Sequence, residues 1–267
     1  MRVYANNNLI AKKGVFGRRL SMAGLGILGL GMLASFAPGL IQKGIDSGSA
    51  WAQSPFIQWT FEGGWLYLSM AALIFGFILG QIGNHYMRRF LRPTRPDMII
   101  AKTLKGFDDR NRLYVWSSPV DLAFAGPAGL FAIATRDIGG KIDLRDGKIH
   151  TPFSLKKILS FFGDESSGRP LDEAKADAEK LSEWLGEQIG GQTPITVKPL
   201  VVFTNENADL TIENADVPVL QYKQLKSFLR GQLKNKPINK TTLQKVIDAM
   251  DAYAEESGAE PNIPAGK

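Results

Sequence analysis

Hydrophobic positions along the chain fall into two regimes. In the first third, two runs are apolar and uncharged from end to end: Leu20–Ile41 (LSMAGLGILGLGMLASFAPGLI) and Trp65–Ile82 (WLYLSMAALIFGFILGQI). A helix needs about 20 apolar residues to cross a bilayer. The spacing therefore predicts transmembrane helices over 20–41 and 65–85, joined by a loop at 42–64. A core helix of a soluble domain is the alternative for either run. That both are bracketed by basic residues argues against it.

After a stiff basic linker at 86–96, the pattern shortens. Asp97–Lys105 opens a short helix, and Leu113–Trp116 is a strand. Val120–Ala125 and Gly129–Arg136 are the arms of a hairpin, because Gly126 and Gly129 give the backbone the freedom a tight turn requires. Lys141–Leu144 and Lys148–His150 flank Asp146-Gly147 as a second hairpin, and Thr151–Ser167 is ambiguous. Helical spacing then appears over Pro170–Ile189, where Leu171, Ala174, Ala178, Leu181, Trp184 or Leu185, and Gln188 trace one face. Pro170 suits the first turn, Asp172 and Glu173 favour the positive end of the dipole, and Gly190-Gly191 ends the helix. Ile195–Phe203 and Val217–Leu220 are strands, Lys223–Lys234 and Thr241–Ala254 amphipathic helices. The tail 255–267 is polar and expected to be disordered. Hairpins, a crossover helix and a further strand imply a mixed-sheet α/β domain over 97–254, behind an N-terminal two-helix transmembrane hairpin.

Charge orients this arrangement. The formal net charge of +6 is unevenly spread: residues 1–96 hold 10 Lys/Arg against 2 Asp/Glu, residues 97–267 hold 22 against 24. The basic excess flanks the apolar runs, in the basic N-terminus 1–19 and at Arg88, Arg89, Arg92 and Arg95; Lys43 is the one basic residue between the runs. Positive-inside bias then places both termini and the α/β domain in the cytoplasm of a multi-pass cell-membrane protein. Trp51, Trp59 and Trp65 fit an outer aromatic belt. A cleaved signal ending at Ala50-Trp51-Ala52 is the rival reading of the N-terminus.

The absence of cysteine excludes disulfides and thiolate chemistry, and two histidines exclude a histidine-rich metal site. Gly24–Gly29 matches GxGxxG, but no strand precedes it and it lies inside a span, so it carries no dinucleotide site. Small residues recur every four positions at Gly31, Ser35 and Gly39, and at Ala72, Gly76 and Gly80. Such rows suit a packed helix pair, or a homo-oligomer through Gly76 and Gly80.

The segments VDLAFAGPAGLFAIATR, RPLDEAKADAEKLSEWL, PLVVFT and VPVLQYKQLKSFL, in this order, resemble the nuclease-related domain (NERD) family, of restriction-endonuclease-like α/β fold. The resemblance implies metal-assisted phosphodiester cleavage, with an Asp on one hairpin strand and a Glu-x-Lys on the next. Two carboxylates would hold Mg²⁺ while the lysine positions or deprotonates water. Matched onto this chain, the Asp is Asp121, the candidate metal ligand. The Glu position is Ala134 and the Lys position Arg136. An upstream acid has no clear counterpart beyond Asp97. Ala134 removes a ligand, and Arg136, with its pKa above about 12, is a poor proton acceptor. Alternation sends Asp137 to the opposite face of the strand unless the strand ends at Thr135. The expectation is a membrane-anchored NERD-like domain that has lost catalysis, needs no cofactor, and binds a protein or, weakly, nucleic acid. An active Mg²⁺-dependent nuclease using Asp121, Arg136 and a relocated acid is the alternative. A membrane oligomer driven by helix packing is a third.

Overall fold

A computed structural model describes residues 1–145, 147–150, 169–190, 195–235 and 238–262. The ambiguous stretch Thr151–Ser167, with Lys156 and Lys157, lies outside them. The chain divides into two units: Met1–Ala11 with Pro93–Lys267, and Lys12–Arg92.

The first unit is a mixed α/β domain built on a seven-stranded sheet of order β10-β1-β2-β3-β4-β7-β9. Its strands are β1 (Arg2–Ala5), β2 (Arg112–Val115), β3 (Leu122–Gly126), β4 (Gly129–Arg136), β7 (Val197–Phe203), β9 (Val219–Gln221) and β10 (Glu260–Asn262). A second sheet, ordered β6-β5-β8, holds β5 (Gly140–Arg145), β6 (Lys148–His150) and β8 (Ala208–Glu213). The expected hairpin forms at Pro127-Ala128, with Gly126 facing Gly129. Gly129 has φ +125°, a conformation that an L side chain rarely adopts.

Helices cover both faces of the large sheet. On one lie α6 (Pro170–Ile189) and α8 (Lys240–Glu256), whose Ala178, Leu181, Leu185, Val246 and Met250 pack with Tyr114, Ala123, Ala125, Leu130 and Ala132. On the other lie α5 (Pro96–Thr103) and α7 (Tyr222–Asn235), where the ring of Phe228 meets that of Phe131 edge-on at 6.0 Å. The period of two along β4 makes this division: Leu130, Ala132 and Ala134 point to the α6 face, Phe131 to the α7 face. Pro170 opens α6, and Gly190 closes it in the left-handed conformation at φ +59°. Asn239 caps α8 by accepting the Thr241 N–H at 3.0 Å.

Three strands were not expected: β8, β1 and β10. β1 falls in what reads as a basic N-terminus, and β10 in what reads as a disordered tail, yet they pair with one another and β1 lies parallel to β2. Side-chain contacts from distant parts of the chain hold β1 in place. Tyr4 stacks on Tyr114 at 5.5 Å, and the Tyr114 hydroxyl donates to Asp251 of α8 at 2.6 Å. Arg112 also faces that carboxylate, at 3.4 Å. Asn6 ends the strand and starts the next helix: its Oδ1 accepts the Leu9 N–H at 2.8 Å, while its Nδ2 donates to the Ser257 carbonyl at 2.8 Å.

In the second unit, the expected span at 20–41 is bent. α1 (Asn7–Ser35) and α2 (Ala37–Asp46) meet at 44°, at Pro38, whose ring cannot continue the ladder. The expected loop at 42–64 holds the end of α2, a 3₁₀ turn at Ala50–Gln53, α3 (Pro55–Trp59, with Ser54 accepting the Ile57 N–H) and a π turn at Thr60–Gly64 that leads into α4 (Trp65–Phe90). By length and composition, one helix here is apolar enough to cross a membrane, Pro55–Phe90, and a second if the bent pair is one span. The small residues bring α1 and α4 together. A Cβ on Gly24 would meet the Gly76 carbonyl at 2.7 Å, and one on Gly31 would meet Ala72 at 2.5 Å. A Cβ on Gly83 would meet the Ser21 backbone nitrogen at 2.4 Å. Gly76 and Gly80 both border α1: a Cβ on Gly76 would lie 2.8 Å from the Gly24 carbonyl, and one on Gly24 would lie 2.7 Å from the Gly80 nitrogen, while a Cβ on Gly80 itself would meet open space.

The Tyr114 cluster gives a pH dependence. Burial, then the Asp251 charge, pushes the Tyr114 phenol well above its usual range, and burial raises Tyr4 as well. A raised phenol pKa in the folded chain means that the unfolded chain ionises first, so stability falls as pH rises above about 10. In Tyr114→Phe the slope of unfolding free energy against pH is expected to be shallower by about 1.4 kcal/mol per pH unit. Denaturant unfolding of the detergent-solubilised full chain at several alkaline pH values measures it; identical slopes for the two proteins would refute the assignment.

Candidate functional site

The hairpin arms set the geometry of the matched positions. Asp121 sits one residue before β3 and is half-buried. Its backbone carbonyl accepts the Trp116 N–H at 2.9 Å, closing the turn between β2 and β3, in which Trp116 is left-handed at φ +55°. β3 and β4 pair with Ala123 opposite Ala132. Continued two residues past its last pair, that register would set Asp121 across from Ala134, and Ala134 faces α6.

Ala134 supplies no oxygen there. It is buried at 3% exposure, and its methyl group belongs to an apolar cluster with Leu171 and Ala174 of α6 and Val201 of β7. The space where a metal ligand would project is filled by core.

Arg136 is the larger departure. The resemblance sets it at the Lys position of the site. The side chain is buried at 6% exposure and ion-paired with Glu173, in the first turn of α6. Its Nη1 also donates to the Thr135 carbonyl at 2.9 Å. The buried Nε makes no hydrogen bond among the described residues. Sequence reasoning assigned Glu173 to the helix dipole alone. The missed signal was that a crossover helix returning over β4 brings its first turn to the end of that strand, where Arg136 stands.

The other acids are engaged elsewhere. β4 runs through Arg136, so Asp137 follows the strand and does not fold back toward Ala134; it accepts a hydrogen bond from Asn205 at 3.2 Å. Asp97, the one nearby upstream acid, is gripped by Arg95 through two bonds of 3.0 and 3.1 Å, on the face covered by α5 and α7. Among the described residues, no three His, Asp or Glu side chains gather as a metal would require. Mg²⁺ takes hard oxygen ligands in octahedral geometry. A methyl group and a guanidinium already bonded to a carboxylate do not fit that ion, and no catalytic step through it follows from this site.

The arrangement is suited to fastening α6 to the sheet. Removing one partner of a buried ion pair leaves an uncompensated charge, costing 3–5 kcal/mol at full burial. Because Glu173 is partly exposed, Glu173→Ala is expected to cost about 2 kcal/mol. The double variant Arg136→Met/Glu173→Leu is expected to lose less, since no charge stays buried. Denaturant unfolding of both variants measures this, and a Glu173→Ala change within error of zero contradicts it. No known protein family, curated protein or solved structure matches the chain.

Proposed function

We propose that this protein is a membrane-anchored binding module whose cytoplasmic domain keeps the frame of a NERD-like, restriction-endonuclease-like nuclease without its metal chemistry. The observation that carries this reading is the Arg136–Glu173 pair beside the buried methyl of Ala134. It joins the candidate basic residue to a carboxylate at the point where the family resemblance asks for an open metal site. The surrounding charge agrees: α6 carries six acids against two lysines, a poor approach for a polyanion. A nuclease with Glu173 as its relocated acid is the second reading, favoured by the position of that carboxylate at the end of β4. The full chain in detergent, given plasmid, single-stranded DNA and RNA with Mg²⁺ or Mn²⁺, is expected to cleave no faster than Asp121→Ala. Cleavage that Asp121→Ala abolishes would sink the binding-module reading. A fragment of residues 97–254 is unsuitable for this assay, because it lacks β1 and β10.

The same domain supports the membrane arrangement. β1 and β2 are neighbours in one sheet, so residues 2–5 and 112–115 share one aqueous compartment. The intervening chain then crosses a bilayer an even number of times. With the basic flanks, that favours two crossings and both termini inside. Cleavage after Ala52 would remove β1, which weighs against a signal peptide. Since the chain has no cysteine, single-cysteine variants report directly. Gln53→Cys is expected to react with an impermeant maleimide in intact cells, and Glu187→Cys only after lysis. Equal labelling of the two in intact cells would overturn the topology.

A further inference from the structure

The helices on the two faces of the large sheet differ in charge. α7 carries Lys223, Lys226, Arg230 and Lys234 and no acid. On the opposite face, α6 sets six acids against two lysines, and α8 sets four against two. The cationic surface continues onto α5 and the turn after it, where Lys102 and Lys105 are exposed and the Lys105 carbonyl accepts a 2.6 Å bond from Lys226. Two large apolar side chains project into solvent from the same pair of helices: Met98 of α5, 49% exposed, and Leu233 of α7, 44% exposed. Elsewhere in this unit, among the described residues, Ile212 is the only other exposed large hydrophobic.

Cations interleaved with protruding aliphatic tips suit a lipid interface, where ammonium and guanidinium groups meet phosphate and the tips enter the headgroup zone. Single-stranded nucleic acid asks for exposed aromatic platforms. Among the described residues of this face, Phe107, Tyr222 and Phe228 are half-buried and none is exposed. We propose that the α5–α7 face docks on anionic phospholipid headgroups, with Lys223, Lys226, Arg230 and Lys234 on phosphates and Met98 and Leu233 as apolar tips. This rests on the reading of Lys12–Arg92 as a membrane anchor. Tethering makes the second contact intramolecular, so a face of modest intrinsic affinity suffices.

The test uses the full chain in nanodiscs of phosphatidylcholine alone, or of an equal mixture with phosphatidylglycerol. A polarity-sensitive fluorophore is placed at Leu233→Cys or, as a control on the acidic face, at Glu187→Cys. Emission at Leu233→Cys is expected to shift to the blue in anionic discs only, and to revert in 1 M salt, where the Debye length is about 3 Å. Glu187→Cys is expected to stay unchanged. Adding Lys223→Gln and Lys234→Gln should lower the docked-to-undocked ratio roughly 30-fold, at about five-fold for each cation near an anionic surface. Failure to enter neutral discs overturns the anchor reading and this proposal with it. Entry with identical emission in both discs overturns the docking face alone. Emission that answers to an added DNA duplex and not to anionic lipid assigns the face to nucleic acid and equally overturns the proposal.

Discussion

Four residues at the start of the chain, Arg2–Ala5, hold the rest of the α/β domain in register. β1 gives its hydrogen bonds to β2 on one side and β10 on the other, so it joins segments that the sequence places far apart. The stack of Tyr4 on Tyr114 and the bond from Tyr114 to Asp251 carry the same constraint through the sheet to α8. Asn6 then spends its amide at both ends, capping the helix that follows and holding the turn after α8. A buried amide serves both roles only because each of its polar atoms has a fixed partner, and such atoms are costly to leave unpaired.

The β3–β4 hairpin and α6 form the second level of organisation. The hairpin places Ala134 within β4 and Asp121 just before β3, and α6 returns over β4 to bring Glu173 to Arg136. What gathers there is core: a methyl in an apolar cluster and a guanidinium paired with a carboxylate. The helices on the two sheet faces separate the charges. Acidic residues gather on the side of Asp121 and Arg136, and basic residues on the side of α7.

The sequence made some of this readable and hid the rest for physical reasons. The second arm of the hairpin was legible to the residue because Gly126 and Gly129 mark the turn, while the first begins at Leu122 and leaves Asp121 outside it; α6 was legible because Pro170 and Gly190 mark its ends. β1 and β10 escaped because RVYA and EPN are too short to show a period and their partners are remote. β8 escaped because most of it is exposed on both faces, so no alternation of burial shaped its residues. Pro38 was visible as a breaker within the first apolar run, yet the run's uniform apolarity outweighed it. Spacing alone did not show that Gly76 and Gly80 both border Gly24 of the same chain. At the matched positions, the lack of a carboxylate at Ala134 was plain. The fate of Arg136 was not, because its partner lies on a helix 37 residues further along.

The placement of β1 also bears on the order in which the domain is made. The first strand leaves the ribosome with neither neighbour yet synthesised, and its two edges are filled only when residues 112–115 and then 260–262 appear. Non-local pairing of this kind is slow, and unpaired strand edges are prone to wrong partners while they wait. Both apolar helices are synthesised within that interval. Completion of the sheet therefore comes only after both apolar helices have been made, so β1 must stay within reach of residues 112–115 and 260–262 throughout that interval.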